Sequence, residues 1–485
     1  MIDGECQSAH FVKIPLQTLN RHGLIAGATG TGKTKSLQLI AEGLSSNGVS
    51  TLLMDIKGDL SGLAKPGSIS PKIQERINQI GSSWSPSEFP VELLSLSSNP
   101  GVRLRATVSE FGPVLFSKIL DLNETQEGLL AMMFKYSDDQ KLPILDLPDL
   151  KKLIQYISDE GREEIEKNYG HISTVSSGTI LRKVIELEQQ GADEFFGEPS
   201  FDPNDFLRTD DTEDGYINIL RLTDMQDRPK LFSTFMLSLL AEIYATFPEI
   251  GDADKPKLVI FIDEAHLIFK EASKQLLDQL ETTIKLIRSK GVGIIFCTQN
   301  PQDIPAAVLS QLGLKIQHAL RAFTATDRKV IKTAAQNFPE SNYYQTDEML
   351  TSLGIGEALV TALNEKGIPS MLVVTMICPP SSRMDVLDDN EINDIIKKSS
   401  LALEYNQTLD RESAFEILNK RMKNDDPNIL KKKQLKTSKP EQSTFEKMLR
   451  SPVVRSMGVS VAGMITRSLL GSLGLKTSSR SYRRK

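Results

Sequence analysis

The chain has 485 residues, of which 39% are hydrophobic and 25% charged, with a formal net charge of −6. That is the composition of a globular protein, and no apolar run reaches the roughly 18 residues needed to span a bilayer, so no integral membrane segment is expected. The opening Met-Ile-Asp-Gly-Glu-Cys lacks the basic and apolar regions of a signal peptide, which points to a cytoplasmic setting. Cys6, Cys297 and Cys378 are far apart, and His10, His22, His171, His266 and His318 include no pair at metal-ligand spacing. Structural disulfides and zinc are therefore not expected, and each histidine reads as a surface or satisfied core imidazole.

Residues 11 to 60 read as strand, loop, helix, strand. Gly23-Leu-Ile-Ala26 suits a short buried strand, and Leu37, Ile40, Ala41 and Leu44 keep the spacing of a helix with one buried face. Between them, Gly27-Ala-Thr-Gly-Thr-Gly-Lys-Thr34 completes the phosphate-binding pattern G-x-x-x-x-G-K-S/T. Glycine lets the backbone wrap closely around anionic oxygens, so the amides of Gly27, Ala28, Thr29, Gly30, Thr31, Gly32, Lys33, Thr34 and Lys35 are the expected nucleotide cradle. Lys33 would reach the β- and γ-phosphates, Thr34 would place its hydroxyl on Mg²⁺, and the helix would point its positive end at the phosphates. The second strand, Thr51-Leu-Leu-Met54, ends at Asp55, which would either touch the nucleotide or cap a turn.

From 66 to 215 amphipathic stretches at 111–136, 147–168 and 172–190 predict a mainly helical insertion. The α/β pattern resumes with a strand at 216–220 and a helix carrying Phe232, Phe235, Met236, Leu239, Leu240, Ile243, Tyr244 and Phe247. Its aromatic stripe reads as core. Apolar runs at 258–262, 293–297 and 315–320 predict buried strands of a parallel sheet covered on both faces, and 356–377 predicts a closing hairpin.

The run Leu258-Val-Ile-Phe-Ile-Asp-Glu-Ala-His266 delivers two carboxylates at a strand end. Asp263 would hold Mg²⁺ through its water shell, and Glu264 would polarise the attacking water as general base. Parallel strand order would bring Gln299 close to the γ-phosphate. Charge developing during phosphoryl transfer also calls for an arginine, with Arg321 the first choice and Arg288 the second.

Beyond 380 the sequence reads as a helical extension at 381–423, a polar linker at 424–444 and a basic amphipathic tail at 445–485. Residues 430 to 485 hold 14 Lys and Arg against Glu441 and Glu446, leaving the body strongly acidic. Such a tail can contact nucleic acid or an acidic partner. Met448, Val454, Met457, Val461, Ile465 and Leu469 lie among its arginines, a pattern suited to a partner or a membrane surface.

The stretches Asn20–Thr34, Met54-Asp-Ile-Lys-Gly-Asp-Leu60, Glu110-Phe-Gly-Pro113, Leu122-Asn-Glu-Thr-Gln-Glu-Gly128 and Gln317-His-Ala-Leu-Arg-Ala-Phe323 closely resemble the YjgR-like bacterial proteins. Those are relatives of the HerA and FtsK motor ATPases. The resemblance covers about residues 10 to 380 and implies an α/β fold with a RecA-like P-loop NTPase core of the additional-strand, catalytic-glutamate type. On this reading the core is 10–65 with 216–380, and 66–215 is inserted. ATP and Mg²⁺ are the expected cofactors, a homo-oligomeric ring of six the expected assembly, and DNA or another polymer the expected track. HerA proper carries a β-barrel ahead of its phosphate loop, whereas here 26 residues precede Gly27. The alternatives are a nucleotide-dependent scaffold or switch without translocation and, from the Asp-Glu-Ala-His at 263–266, a DEAH-box helicase. The latter is disfavoured because no second RecA-like lobe or Q-x-x-G-R-x-G-R motif follows.

Overall fold

The computed structural model describes residues 1, 6–7, 10–97, 99–251, 253–270, 273–407, 409 and 411–425. The expected tail at 445–485 and nearly all of the linker at 424–444 lie outside them. The described chain forms two compact units, one of Met1–Leu104 with Asp202–Asn406, the other of Arg105–Phe201 with residues from Gln407 on.

The first unit is built on a ten-stranded sheet: β1 (Gly23–Ala26), β2 (Ser50–Asp55), β3 (Val91–Ser95), β4 (Val102–Arg103), β5 (Ile217–Arg221), β6 (Leu258–Ile262), β7 (Val292–Thr298), β8 (Leu314–His318), β9 (Glu357–Thr361) and β10 (Val373–Met376). Their order across the sheet is β10-β9-β8-β1-β7-β6-β2-β5-β3-β4. All adjacent pairs from β8 through β4 are parallel, while the β8–β9 and β9–β10 pairs are antiparallel. The strands at 216–220, 258–262, 293–297 and 315–320 and the hairpin thus form within two residues of their expected ends.

Parallel strands buried on both faces need apolar residues at successive positions, and β1, β2, β6 and β7 are buried throughout. Ile25, Phe261, Ile295 and Cys297 face one side, where they share a core with Leu37, Ala41 and Leu44 of helix α1 (Lys33–Ser45). Phe296, one residue along β7, points the other way and meets Phe269 with ring centroids 6.1 Å apart. Fully burying one such side chain contributes about 2 to 3 kcal/mol. Phe232, Phe235, Met236, Leu239, Leu240, Ile243 and Phe247 are buried in the core, as their spacing predicted.

The helical insertion expected over 66–215 is narrower. Residues 66–104 supply β3 and β4 to the main sheet together with α2 (Pro71–Ile80), and the second unit begins at Arg105. The short strands β3 and β4 carry too little pattern to stand out among helical stretches. The expected extension at 381–423 is divided: the helices Asp389–Lys398 and Ser400–Tyr405 belong to the first unit and Ala414–Asp425 to the second.

The second unit contains the helices Val108–Ile119, Glu124–Gln140, Leu147–Ser158, Arg162–Tyr169 and Thr174–Gln189. Phe111, Phe116, Phe195 and Phe196 form its aromatic cluster, with centroids 5.0 to 6.3 Å apart. Glu110 completes a capping box with Thr107, and Gln126 one with Asn123. Gly112, at φ 65°, kinks the first of these helices ahead of Pro113. Among the described residues no helix is long and apolar enough to cross a membrane.

Candidate functional site

Because β8, β1, β7, β6 and β2 run parallel, their C-terminal ends share one edge, where open α/β sheets bind ligands. Register brings Ala26 beside both Thr298 and Gln317, Phe296 beside Ile262, and Met54 beside Ile262. The loop after β1, Asp263 and Glu264 after β6, Gln299 after β7, Arg321 beyond β8 and Lys57 after β2 therefore converge on that edge. Arg288 precedes β7 and lies at the opposite edge.

The loop is fastened from below. Gly27 N–H donates to Thr298 O at 3.3 Å, Ala28 N–H to Ala319 O at 2.8 Å, and Gly356 N–H to Thr31 O at 2.9 Å. A Cβ at Gly27, where φ is +152°, would lie 2.5 Å from His318 Cβ, so this backbone can approach His318 only as glycine. Gly32, at φ +115°, begins α1 without a side-chain cap. The N–H groups of Gly30, Gly32, Lys33 and Thr34 have no backbone acceptor among the described residues. Such amides at a helix N-terminus form a nest for an anion.

Lys33 Nζ donates to Gly27 O at 2.7 Å and Ala28 O at 3.2 Å. Burial and the neighbouring Lys57 lower its pKa, while Glu264 and Asp263 oppose that shift. Lys35 turns away from the loop, donating to Met384 O at 2.6 Å and Gln38 Oε1 at 3.2 Å. Thr29 and Gly30 are exposed, and Thr34 is half-buried.

Behind the loop, His318 Nδ1 donates to Glu357 O at 2.9 Å, which leaves Nε2 to accept from Ser36 Oγ at 2.8 Å. Burial brings its pKa down to about 4, so the ring is neutral. It is a satisfied core imidazole, as expected, and it also forms the wall that Gly27 packs on.

Asp263 and Glu264 are buried. Glu264 has φ 47°, an uncommon left-handed conformation for a residue with a side chain and one that recurs at functional sites. Lys57 Nζ lies 3.5 Å from Asp263 Oδ2 and is ion-paired with Glu264 Oε1, while Glu264 Oε2 faces His266 Nδ1 at 3.2 Å. Burial pushes the Asp263 carboxyl up to about 6, with Lys57 opposing and Glu264 reinforcing the shift. Burial also works against the Glu264 carboxylate, but Lys57, His266 and Lys33 together hold its pKa below the usual range.

Sequence reasoning missed Lys57 and took His266 as structural. Lys57 follows the acidic end of β2, and only the pairing of β2 with β6 brings it to the two carboxylates. Asp55 caps its own turn, accepting from Gly58 N at 2.7 Å and from Asp59 N and Leu60 N, each at 3.2 Å. Burial and the nearby Asp59 push its carboxyl up to about 6. Gln299 is exposed at the mouth of the turn after β7, which Thr298 Oγ1 closes by donating to Asp303 Oδ2 at 2.8 Å. Arg321 is exposed two residues beyond Ala319, whose carbonyl holds the loop.

An amide nest on β1 and a buried Asp-Glu pair on β6, with β7 inserted between them, define a P-loop NTPase core of the RecA-like type. A solved structure with the same fold is the plasmid coupling protein TrwB in complex with the non-hydrolysable GTP analogue GDPNP, at TM-score 0.51 and 14% identity over 79% of this chain and 92% of that one. In sequence, the DNA double-strand break repair helicase HerA of Sulfolobus acidocaldarius is 24% identical over 371 residues, 75% of this chain and 66% of that relative. HerA of Saccharolobus solfataricus is 23% identical over 373 residues, again 75% of this chain and 66% of the relative. The chain thus spans just under two thirds of the length of these relatives. The model of the helicase HerA-like C-terminal family matches residues 3–442, and the chain belongs to that family. The HerA-level resemblance holds; the finer YjgR-like grouping rests on the quoted residues alone.

Proposed function

We propose that the chain is a Mg²⁺-dependent ATPase of the HerA/FtsK type, acting in the cytoplasm as a ring, with six subunits the expected number, that moves on DNA. The observation that carries this reading is the shared sheet edge, which holds both the amides of Gly30, Gly32, Lys33 and Thr34, free of backbone acceptors among the described residues, and the buried pair Asp263 and Glu264. Membership of a helicase-like family and relatives named for DNA repair support DNA as the polymer.

In this mechanism the amides of residues 27 to 35 and the Lys33 ammonium hold the β- and γ-phosphates. Magnesium fits the site, because Asp263 Oδ2 is buried and accepts no hydrogen bond, and Thr34 stands in the first turn of α1, whose N-terminus lies at the same sheet edge. Bound there through Thr34 and the water shell of Asp263, it would neutralise phosphate charge. Glu264 accepts the proton of the attacking water once its ion pair with Lys57 loosens. Gln299 orients that water, and Arg321, presented on an exposed loop, stabilises the transferring phosphoryl group in a neighbouring subunit.

The test is the rate of ATP hydrolysis with and without duplex DNA at two salt concentrations. Stimulation by DNA that weakens as salt rises is expected, because neutralising phosphates releases counterions. A rate indifferent to DNA at both salts removes DNA as the polymer and favours the scaffold reading.

A further inference from the structure

We propose that Lys57 is a tethered counter-charge that competes with Mg²⁺ for Asp263 and Glu264, and so governs how readily the site accepts the metal–nucleotide complex. This rests on the reading of Asp263 as the metal-side carboxylate and adds a regulatory element to it.

The turn that carries Lys57 is held at its backbone. Asp55 accepts from Gly58, Asp59 and Leu60 amides, and Gln226 Nε2 donates to Ile56 O at 2.8 Å. Freedom is left to the side chain, which is 36% exposed, against 7% for Asp263 and 8% for Glu264. The carboxylates cannot leave, whereas the ammonium can swing into solvent on its flexible four-carbon stem.

In its seated position Lys57 faces Asp263 Oδ2, the oxygen that would accept from a metal-bound water, and holds Glu264 Oε1. His266 Nδ1 stands 3.2 Å from the other Glu264 oxygen. A divalent cation cannot share that carboxylate edge with an ammonium without strong like-charge repulsion across a partly dehydrated gap. Seating the metal therefore unseats Lys57, and unseating Lys57 frees one oxygen of Glu264 for the attacking water. One side chain thus links metal arrival to release of the base.

The experiment uses the full chain and ADP, so that no turnover intervenes. Calorimetry gives ADP affinity with and without Mg²⁺ for the wild type, Lys57→Met and Lys57→Arg. Magnesium should strengthen ADP binding about fivefold more in Lys57→Met than in the wild type, the scale of a partly exposed ion pair, with Lys57→Arg close to the wild type. In parallel, mass spectrometry of the acetylated wild type should show Lys57 at least about twofold more reactive with Mg·ADP than with ADP alone, since a released lysine is solvent-facing. That second measurement stands even if Lys57→Met does not fold. If the wild type binds ADP with a magnesium effect, but Lys57→Met gains nothing further or Lys57 reactivity stays flat, the competition is overturned and the site reading survives. A wild type that binds no ADP at all overturns both.

Discussion

His22 immediately precedes β1, at the edge opposite the phosphate loop, and its titration provides a direct test of how the core is wired. Its Nε2 donates to Ile284 O at 2.8 Å, and its Nδ1 accepts from Ile294 N at 3.0 Å, a pairing that only the neutral ring can make. Burial pulls its pKa down from 6.5 to about 4, with the Ile284 hydrogen bond opposing and the nearby Arg288 reinforcing the shift. A folded-state pKa below the unfolded value means that the stabilisation is complete above pH 6.5 and is lost as pH falls toward 4. At pH 5 linkage makes the loss about 2 kcal/mol. Asp55 and Asp263, pushed up to about 6, act with the opposite sign, so the pH dependence of the whole protein is a mixture. Comparison with His22→Gln cancels those terms. Trp84, the single tryptophan, reports on the right unit, since its Nε1 donates to Pro380 O at 3.0 Å. Urea unfolding followed by its fluorescence at pH 7.5 and 5.0 should show the wild type losing about 2 kcal/mol more than His22→Gln. Equal losses in the two proteins would refute the neutral, buried imidazole.

Lys33→Ala should abolish tight nucleotide binding by calorimetry, because the ammonium that would reach the β- and γ-phosphates is gone; unchanged affinity contradicts the phosphate-loop assignment. If Arg321 acts on the neighbouring subunit, mixing inactive Arg321→Ala and Glu264→Gln chains should restore part of the ATPase rate. No recovery in verified mixed rings counts against Arg321 in that role.

The core was legible because its signals are local. Continuous apolar runs mark β6, β7 and β8, and a glycine-rich loop joins a buried strand to an amphipathic helix. The shared edge then follows from parallel order alone, which is why Gln299 could be placed from sequence. Partners set by tertiary contact were not legible. Nothing near Lys57 announces that its ammonium reaches Asp263 and Glu264, across from the neighbouring strand. The division near Arg105 was hidden as well, because β4 has two residues and β3 five, too few for a periodicity. The family-like residues also split by physical role. Glu110 and Gln126 close helix caps in the second unit, whereas His318 backs the phosphate loop.

The central claim, that this sheet edge hydrolyses ATP through Glu264, is tested most directly by Glu264→Gln measured for both ATP binding and turnover. Binding close to that of the wild type, with hydrolysis at least about a hundredfold slower, is the predicted result. A near-normal rate with intact binding would contradict it.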